Sequence, residues 1–587
     1  MNFDLFFSEE NLVKMLCKYR ANTANKRHAK HMLRNVSLHD STNKIGVTET
    51  QFDFIFLQSI FPSRRNWAKL NEEERKTCKD SLKVNQKRLF KSYLNTKKTV
   101  QQGSSLPEWY NNLIDFVESL RDDVLNVEIS NYKIEKPVIK GIKKEEKNGV
   151  VIYRPIALYG IKDKMISSIT AKYLTSYFER VFLDCSFAFR GRNAKNEIPN
   201  HHDCIEKILN IRKKHPKLWV AECDIQKFFD TVQQEHILSV LNELAQKVED
   251  NFGTALDNKA LKIFELFLSS FSFQENILPK NLDIEWFKSN KLPIGRFGWV
   301  ENELVEAYGK DYIDKHRIGV PQGNAISCFI ANLILHSVDE EILKHDKDVF
   351  YIRYCDDMIL MHTQEEGCKK SLDIYMEGIK KNYLLFHKPK KIINYKSTEE
   401  SKKFWKLKSK LPFFWGDKNI NEVNIPWVSF VGYQINYNGN IRVRKSTIEK
   451  EVKKQINESQ KVLKALGKFN HYNVVKDANS RVSKTQILFR LQNRLISMSV
   501  GRIKIYNHKN PTEQGLCWTN GFKKLSQNKI TRKQLRFLDK RRNIQLNRVR
   551  REIHEIEKET TSNEFPNELK SIYFGSAFSY YNYLKHK

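Results

Sequence analysis

The sequence predicts an α+β fold, in which antiparallel strands and helices share a core and further helices extend it at both ends. Apolar, β-prone runs flank an adjacent pair of acids within residues 350–361, and residues 428–435 alternate as half-buried strands do. Apolar residues recur every three or four positions over residues 106–124, which is the spacing of amphipathic helices. With 587 residues, 40% of them hydrophobic, the chain is long enough for several domains.

The charge balance is strongly basic, with 101 Lys and Arg against 69 Asp and Glu and a net charge of +32. An excess of this size predicts a polyanionic partner, and nucleic acid before a membrane surface. Lys- and Asn-rich proteomes produce basic chains as well, so the charge favours nucleic acid without specifying it.

The cellular location of the protein is predicted from three sequence features that we do not find. No CxxC pair occurs among the nine cysteines, which argues against a zinc ribbon or a disulfide framework. The first residues lack a signal-peptide pattern, and no apolar run approaches about 18 residues. We therefore expect a reducing, cytoplasmic setting and no membrane span.

Asp356 and Asp357 lie where the two apolar runs of residues 350–361 meet, which predicts a hairpin with both carboxylates at its turn. Adjacent carboxylates repel each other, and ionised groups beside a core are costly unless a cation neutralises them. The pair therefore favours a divalent metal. A surface Asp-Asp turn is the alternative, because such turns are common.

A further acid, Asp224, follows the short apolar strand predicted at residues 219–223. Two phenylalanines, Phe228 and Phe229, come shortly after it. Carboxylate oxygens are ligands for Mg²⁺, and a carboxylate at the end of a strand is well placed to provide one. Asp224 is therefore a second candidate metal ligand.

The segments around these acids give weaker signals. Residues 140–147 predict a charged turn or loop, and residues 149–158 predict a strand in which Pro155 favours an edge position. Residues 240–318 predict a helical and loop insertion without recognisable chemistry. Residues 319–327 are rich in small side chains, which allow a ligand to approach the backbone.

The carboxy-terminal part carries a basic helix. Nine Lys or Arg and one Asp lie between residues 531 and 551, and the apolar positions share one helical face. The opposite face is a basic stripe suited to a phosphate backbone. The apolar face consists of Leu535, Leu538, Leu546, Val549 and Ile553.

Six short blocks follow one another along residues 153–433. They are YRPI at 153–156 with Asp163 and Lys164, SFAFR at 186–190, DIQKFFD at 224–230, GVPQG at 319–323 with Ser327 and Asn332, YCDD at 354–357, and FVGY at 430–433. Their order resembles the reverse transcriptase family, most closely the prokaryotic group that includes group II intron and retron enzymes.

The resemblance implies a right-hand polymerase with fingers, a palm of antiparallel sheet plus helices, and a helical thumb. It covers roughly residues 149–445, and the fingers and palm are expected at residues 131–445, with the insertion at 240–318. Apolar spacing, and not the resemblance, predicts a helical amino-terminal extension at residues 1–130. A helical thumb at 446–505 and a basic helical extension at 506–587 complete the expected organisation.

The implied activity is RNA-directed DNA synthesis, in which two Mg²⁺ ions, or Mn²⁺ as an alternative, assist the addition of dNTPs to a primer 3′-hydroxyl. Asp224, Asp356 and Asp357 are the implied catalytic acids and metal ligands. The backbone carbonyl of Ile225 is a further implied ligand.

The resemblance also assigns residues to the nucleotide and the primer. Phe229 would exclude a 2′-hydroxyl, and Gln322 and Gly323 would face the incoming nucleotide. The positive side chains Arg154 and Lys164 would contact the triphosphate, and Lys390 or its neighbour Lys391 would donate a proton to pyrophosphate. The primer grip consists of Phe430, Gly432 and Tyr433.

Two positions depart from the family pattern: Ala188 replaces a usual glycine, and Cys328 replaces a frequent proline. The pattern is similar to bacterial defence-associated enzymes, including abortive-infection types that act against phage. The expected partners are an RNA template, which could be a dedicated non-coding RNA, the DNA product and dNTPs. A partner protein or a second copy of the chain is a further expected partner, and no membrane is expected.

Several alternatives remain open at this stage. The same palm could synthesise RNA, work without a template, or serve a group II intron or retron. Protein-primed synthesis could start from the aromatic tail at residues 578–583. A non-catalytic RNA-binding scaffold is the alternative outside enzymes, although the intact acids argue against it.

Overall fold

The computed structural model describes residues 2–34, 49–78, 81–103, 105–193, 196–392, 394–416, 424–468, 488, 491–492, 494–495, 521–525 and 528–558. Helices mixed with mostly antiparallel strands confirm the expected α+β class, and this mixture is consistent with a right-hand polymerase fold. The chain divides into two compact units. The larger comprises Met1–Leu12, Asp115–Val431 and Asn436–Gly439, and the smaller comprises Val13–Ile114, Gly432–Ile435 and Asn440–Lys587.

The elements are numbered here in chain order. The strands are β1 (Val138–Lys147), β2 (Val150–Leu158), β3 (Trp219–Glu222), β4 (Gly295–Arg296), β5 (Phe350–Tyr354), β6 (Asp357–His362), β7 (Lys410–Phe414), β8 (Val428–Phe430), β9 (Tyr433–Ile435) and β10 (Ile441–Val443). The helices up to the first long insertion are α1 (Glu9–Arg34), α2 (Glu49–Ser59), α3 (Glu72–Lys76), α4 (Ser81–Gln101), α5 (Glu108–Leu125), α6 (Ile161–Phe178), α7 (His201–Lys214), α8 (Phe228–Thr231) and α9 (Gln234–Phe252).

The remaining helices continue through the insertion and the carboxy-terminal part. They are α10 (Asn258–Ser269), α11 (Phe273–Asn276), α12 (Ile284–Ser289), α13 (Glu301–Tyr308), α14 (Lys310–Lys315), α15 (Ala325–His345), α16 (Glu365–Lys381), α17 (Thr398–Trp405), α18 (Lys445–Lys468) and α19 (Lys529–Lys558). No described helix is both long and apolar enough to cross a lipid bilayer.

A four-stranded antiparallel sheet in the order β5-β6-β3-β7 forms the centre of the larger unit. Ala221 pairs with Leu360 in an antiparallel register, so the end of β3 is directed towards the start of β6. Val220, Leu360 and Ile352 have no exposed surface, so the sheet is anchored in a core. This register brings the chain after β3 and the β5–β6 turn to the same end of the sheet.

The hairpin of β1 and β2 differs from the sequence prediction. Residues 140–147 form most of β1, so the predicted charged loop is wrong. The signal that was missed is the turn Asn148-Gly149, whose φ angles of 49° and 77° match the left-handed geometry that joins two strands tightly. Antiparallel pairing with β2 then outweighs the polar composition of β1.

The predicted edge position of Pro155 is also wrong. The three-stranded sheet has the order β1-β2-β4, so β2 is its middle strand. However, β4 pairs only with Val151 and Ile152, and Pro155 lies beyond it. The proline is tolerated because the described pairing on that side of β2 ends before it.

In the smaller unit, α18 packs against α19. The predicted apolar face of α19 is confirmed, because Leu535, Leu538, Leu546, Val549 and Ile553 are all buried. The predicted basic stripe is exposed on the same helix. It includes Arg532, Lys533, Arg536, Lys540, Arg548 and Arg551.

Candidate active site

The β5–β6 hairpin turns through Cys355 and Asp356, because Tyr354 pairs with Asp357. Cys355 has φ of 59°, a left-handed conformation that is strained for a residue with a side chain. Asp357 is the first residue of β6, so only one of the two acids lies in the turn itself. Asp356 is half-buried and Asp357 is exposed.

Arg353 stabilises this turn through buried hydrogen bonds and an ion pair. Its guanidinium donates to the Asp339 carboxylate of α15 at 2.8 and 2.6 Å, and both side chains are 1% exposed. It also donates to the backbone carbonyl of Cys355 and to Oδ1 of Asn332, each at 3.1 Å. Arg353 was not identified from the sequence, because its partner lies on another element and no local pattern marks the pair.

Asp224 lies two residues beyond the end of β3, at the same end of the sheet. Its backbone N–H donates to Oγ of Ser409 at 2.9 Å, and its carbonyl accepts from the N–H of His387 at 2.9 Å. Lys408 Nζ stands 3.1 Å from carboxylate oxygen Oδ2, and His387 Nε2 stands 3.5 Å from it. Lys408 and His387 are themselves 3.0 Å apart.

Lys408 and His387 were not identified from the sequence, where Lys390 was selected instead. Lys390 is exposed, and its backbone forms an isolated bridge with Lys410. The lysine beside Asp224 comes from the loop before β7, which neighbours β3 in the sheet. That neighbourhood is a non-local pairing, so no spacing along the sequence could have indicated it. The assignment of Lys390 stays a prediction.

The negative charge of Asp224 acts on the carboxyl group of Asp356. Burial raises the pKa of the Asp356 carboxyl, and the negative charge of Asp224 raises that pKa further. Hydrogen bonds to its own backbone and to Cys355, and the positive charge of Arg154, act in the opposite direction. The exposed Arg154 of β2 therefore faces the same region as the two acids.

The chemistry of this pair fits a divalent cation. The paired negative charges favour positive charge between them, and the Lys408 ammonium already lies beside Asp224. Among the described residues no group of three or more His, Cys, Asp or Glu side chains is arranged as a metal site. Mg²⁺ commonly binds through one or two carboxylates and keeps several waters, so two acids satisfy its requirement.

Ile225, the implied backbone ligand, directly follows Asp224. Its side chain is 2% exposed, and its backbone forms an isolated antiparallel bridge with Phe386. The next residue, Gln226, donates its backbone N–H to the carbonyl of Leu385 at 2.7 Å. These bonds fix the backbone on which the predicted carbonyl ligand lies.

The loop before α15 is joined to the segment that follows Asp224. The backbone N–H of Val320 donates to the carbonyl of Phe229 at 2.8 Å, and the Gln322 amide donates to Oδ1 of Asp230 at 2.7 Å. Phe229 is half-buried, with its ring centroid 5.2 Å from that of Phe228. The structure thus brings Phe229 and Gln322, two predicted nucleotide residues, to one place.

Gly323 is the other predicted nucleotide residue of this loop. It is exposed and has φ of 98°, a conformation that favours glycine. A Cβ at this position would approach Cγ2 of Ile156 on β2 to 3.3 Å. The carbonyl of Gln322 also accepts from the N–H of Ala157 at 3.1 Å, so the loop is attached to β2 as well.

Asp230 is a buried acid that belongs to one of the six sequence blocks but had no predicted role of its own. It is 5% exposed, and burial raises its pKa to about 6. The hydrogen bond from Gln322 acts against this shift, as do the positive charges of Lys227, Lys144 and Arg154. Asp230 therefore lies among cations as well as in the core.

The insertion contributes to the surroundings of Asp230. Lys227 Nζ lies 3.8 Å from the ring centroid of Trp299 and donates to the carbonyl of Gly298. Burial lowers the pKa of Lys227 to about 8. A Cβ at Gly298 would stand 3.1 Å from Asp230 Oδ2, so this segment closes over the acid.

The other predicted residues lie on separate elements. Lys164 is exposed in the first turn of α6. Phe430 is a buried residue of β8 in the larger unit. In the smaller unit, Gly432 has φ of 87°, and the buried ring of Tyr433 lies 5.2 Å from that of Phe522. The triphosphate role and the primer-grip role of these residues stay predictions.

Comparisons with known proteins give one family match and several distant structural similarities. Solved structures similar to this chain include a Candida albicans telomerase in complex with the TWJ fragment of telomeric RNA, at 11% identity and a TM-score of 0.31 over 91% of this chain and 84% of that chain. An apo telomerase from Candida tropicalis has 12% identity and a TM-score of 0.30 over 92% of this chain and 85% of that chain. A search of curated protein sequences gave no match.

The family match covers residues 279–405, and its model is described as "Reverse transcriptase (RNA-dependent DNA polymerase)". The matched segment includes Gln322, Gly323 and both acids of the β5–β6 hairpin, whereas Asp224 precedes it. Residues 279–405 are therefore similar to the reverse transcriptase family.

Proposed function

We propose that the chain is an RNA-directed DNA polymerase that adds dNTPs to a primer 3′-hydroxyl. The observation that carries the proposal is that Asp224, just after β3, and Asp356, in the β5–β6 turn, lie at the same end of the central sheet, where the charge of Asp224 raises the pKa of Asp356. Arg154 acts electrostatically on Asp356 and on Asp230, and Asp230 accepts a hydrogen bond from the amide of Gln322. Together these residues provide negative charge for metal and positive charge for a triphosphate.

Asp224 and Asp356 would hold Mg²⁺, with Mn²⁺ as the alternative, and the backbone carbonyl of Ile225 and Asp357 are further ligands by resemblance. When bound, the ions activate the primer hydroxyl and stabilise charge on the leaving pyrophosphate. The number of ions, two, rests on the resemblance. The Asp pair supports a metal because carboxylate oxygens are the ligands that Mg²⁺ prefers.

The cationic side chains have separate roles in this proposal. Arg154 is exposed and acts electrostatically on both Asp356 and Asp230, which suits a residue that binds the triphosphate. Lys164 is a second candidate for that role. Lys408 stands beside Asp224 and can donate a proton to pyrophosphate, and its position supports it over Lys390.

Phe229 and Gln322 would select the nucleotide. The ring of Phe229 is half-buried, its backbone is bonded to the loop of Gln322, and its proposed role is to block a 2′-hydroxyl. Gln322 and Gly323 would face the sugar and base. The exposed basic stripe on α19 provides charge for the backbone of the RNA template and DNA product.

The proposed biological setting is antiphage defence in the cytoplasm, with an associated RNA or a partner protein. Its support is the order and identity of the six sequence blocks. The aromatic tail at residues 578–583, considered above for protein priming, lies outside the described residues.

The test is dNTP incorporation by the purified full chain on a poly(rA) template with an oligo(dT) primer. We expect Mg²⁺-dependent incorporation of dTTP that Asp356→Ala with Asp357→Ala abolishes. Synthesis that persists in this variant contradicts the site. Three parallel reactions test the alternatives. Incorporation of NTPs would indicate RNA synthesis, and incorporation without template would indicate template-independent transfer. Incorporation without primer would indicate protein priming.

A further inference from the structure

The contact between Asp230 and Gln322 has consequences beyond packing. The Gln322 Nε2–Asp230 Oδ1 distance is 2.7 Å, and Asp230 is 5% exposed. A carboxylate only accepts hydrogen bonds, so it holds the amide nitrogen and excludes the flipped amide, in which two oxygens would face each other. The contact therefore selects one of the two orientations of the Gln322 amide.

The backbone around this contact is fixed from both sides. The N–H of Gly319 donates to the carbonyl of Val232 at 2.8 Å, and the Gln234 amide donates to the carbonyl of Gly319 at 2.9 Å. Gly319 has φ of 85°, and a Cβ there would stand 3.0 Å from the carbonyl oxygen of Asp230. The two segments approach so closely that Asp230 and Gln322 have little freedom to separate.

The insertion helps to shield the Asp230 carboxylate from solvent. Gly298 approaches Asp230 so closely that a Cβ would stand 3.1 Å from Oδ2, and the 6% exposed Trp299 covers the Lys227 ammonium. A hydrogen bond to an ionised group is stronger away from water. The insertion at residues 240–318, which had no recognisable chemistry in the sequence, thus supports the nucleotide side of the site.

We propose that Asp230 is a positioning residue that holds the Gln322 amide in one orientation for the incoming nucleotide. The inference rests on the proposed function, because it takes Gln322 to contact that nucleotide. Asp230 itself lies behind Gln322 and acts through it. A buried carboxylate is costly to a fold, and a role in nucleotide binding accounts for its presence here.

The test is a double-mutant cycle on dTTP incorporation, with KM and kcat measured separately. Asp230→Ala and Gln322→Ala should each raise the KM for dTTP about 10-fold, as expected when a hydrogen bond to a charged group is lost, with a smaller effect on kcat. The double variant should be no worse than either single variant. Additive effects on KM would overturn the inference, because Asp230 would then act independently of Gln322.

Two further variants keep the result interpretable if Asp230→Ala folds poorly. Asp230→Asn preserves the shape of the side chain, but its amide can donate as well as accept a hydrogen bond, so the orientation of the Gln322 amide is no longer fixed. An unchanged KM for dTTP in this variant also overturns the inference. Glu451→Gln neutralises a 2% exposed carboxylate in the smaller unit and should leave the KM for dTTP unchanged. A wild-type chain that makes no DNA contradicts the proposed function, whereas an additive cycle in an active wild type contradicts only the role of Asp230.

Discussion

Lys408 Nζ lies 3.1 Å from the carboxylate oxygen Oδ2 of Asp224, where its positive charge and a divalent cation compete for the same acid. The ammonium is more than half exposed, so the ion pair is worth up to about 1 kcal/mol. Lys408→Met should therefore lower the Mg²⁺ concentration for half-maximal activity about 2- to 5-fold, while the maximal rate falls because a proton donor is lost.

Metal binding can be measured without catalysis, by titrating Mn²⁺ and following its electron paramagnetic resonance signal. The matched control is Lys403→Met, which removes one exposed positive charge that pairs with Glu399 on α17. This control should bind Mn²⁺ as the wild type does. An unchanged or weaker affinity in Lys408→Met would contradict competition at Asp224.

The three acids should differ in importance. Asp224 and Asp356 influence each other electrostatically, whereas Asp357 is exposed at the first position of β6. Asp224→Asn and Asp356→Asn should each slow single-nucleotide incorporation about 100- to 1000-fold. Asp357→Asn should cost about 10-fold, as expected for a group that supports a metal ligand.

Rapid-quench measurement of a single incorporation at saturating dTTP gives the three rates directly. Mg²⁺ should be varied for each variant, since a loss of affinity could otherwise appear as a loss of rate. A rate for Asp357→Asn as low as that for Asp356→Asn would show that both acids of the hairpin act as primary ligands.

Arg353 should control both stability and the position of the turn. Arg353 forms a buried ion pair with Asp339. Removing the arginine would leave the Asp339 carboxylate buried without a compensating charge, which typically costs about 3–5 kcal/mol of folding free energy. Arg353→Met should lower the free energy of unfolding by about this amount. Activity should fall as well, because the guanidinium also supports the carbonyl of Cys355 next to Asp356.

Urea unfolding measures the first effect. The matched control is Arg296→Met, which breaks a partly exposed pair with Glu303 and should cost less than about 1 kcal/mol. Equal losses in the two variants would mean that the buried pair with Asp339 contributes no more than an exposed pair.

The sequence predicts the elements that depend on local pattern. Alternation and the paired acids are enough to place the β5–β6 hairpin, and periodicity is enough to identify the buried face of α19. Each signal is contained in one continuous stretch of sequence, so it can be recognised without knowing the fold. The exception is β1, where charged residues concealed a strand that its Asn148-Gly149 turn could have revealed.

Features that join distant segments could not be predicted in this way. Lys408 reaches Asp224 because β7 pairs with β3, which are separated by more than 180 residues. Trp299 covers Lys227 because β4 of the insertion pairs with β2. These contacts depend on which strands are neighbours in a sheet. The spacing of residues within either segment does not reveal that order.

Phe229 should determine sugar selection. Phe229→Ala should lower the preference for dTTP over UTP about 10- to 100-fold, because removing a ring opens the space that a 2′-hydroxyl needs. The comparison is the ratio of kcat/KM for the two nucleotides on the same template. Phe228→Leu changes the neighbouring ring, which is 1% exposed, and should reduce stability without changing the ratio.

Asp230 should make stability depend on pH in a direction opposite to that of most paired acids. Its pKa is about 6 in the folded chain against an ordinary value of 3.8. Between these values the folded state keeps a proton that the unfolded state has lost, so the free energy of unfolding falls as pH rises. The shift of roughly two pH units corresponds to about 3 kcal/mol.

Asp230→Asn removes this dependence, because an amide does not titrate in this range. The stability of the variant relative to the wild type should therefore increase from pH 4 to pH 6 by up to about 3 kcal/mol and then level off. Urea unfolding of both chains at several pH values measures the difference. The positive charges of Lys227, Lys144 and Arg154 face the same carboxyl and remain in both chains. Parallel profiles would mean that Asp230 stays ionised throughout, so that these cations outweigh its burial.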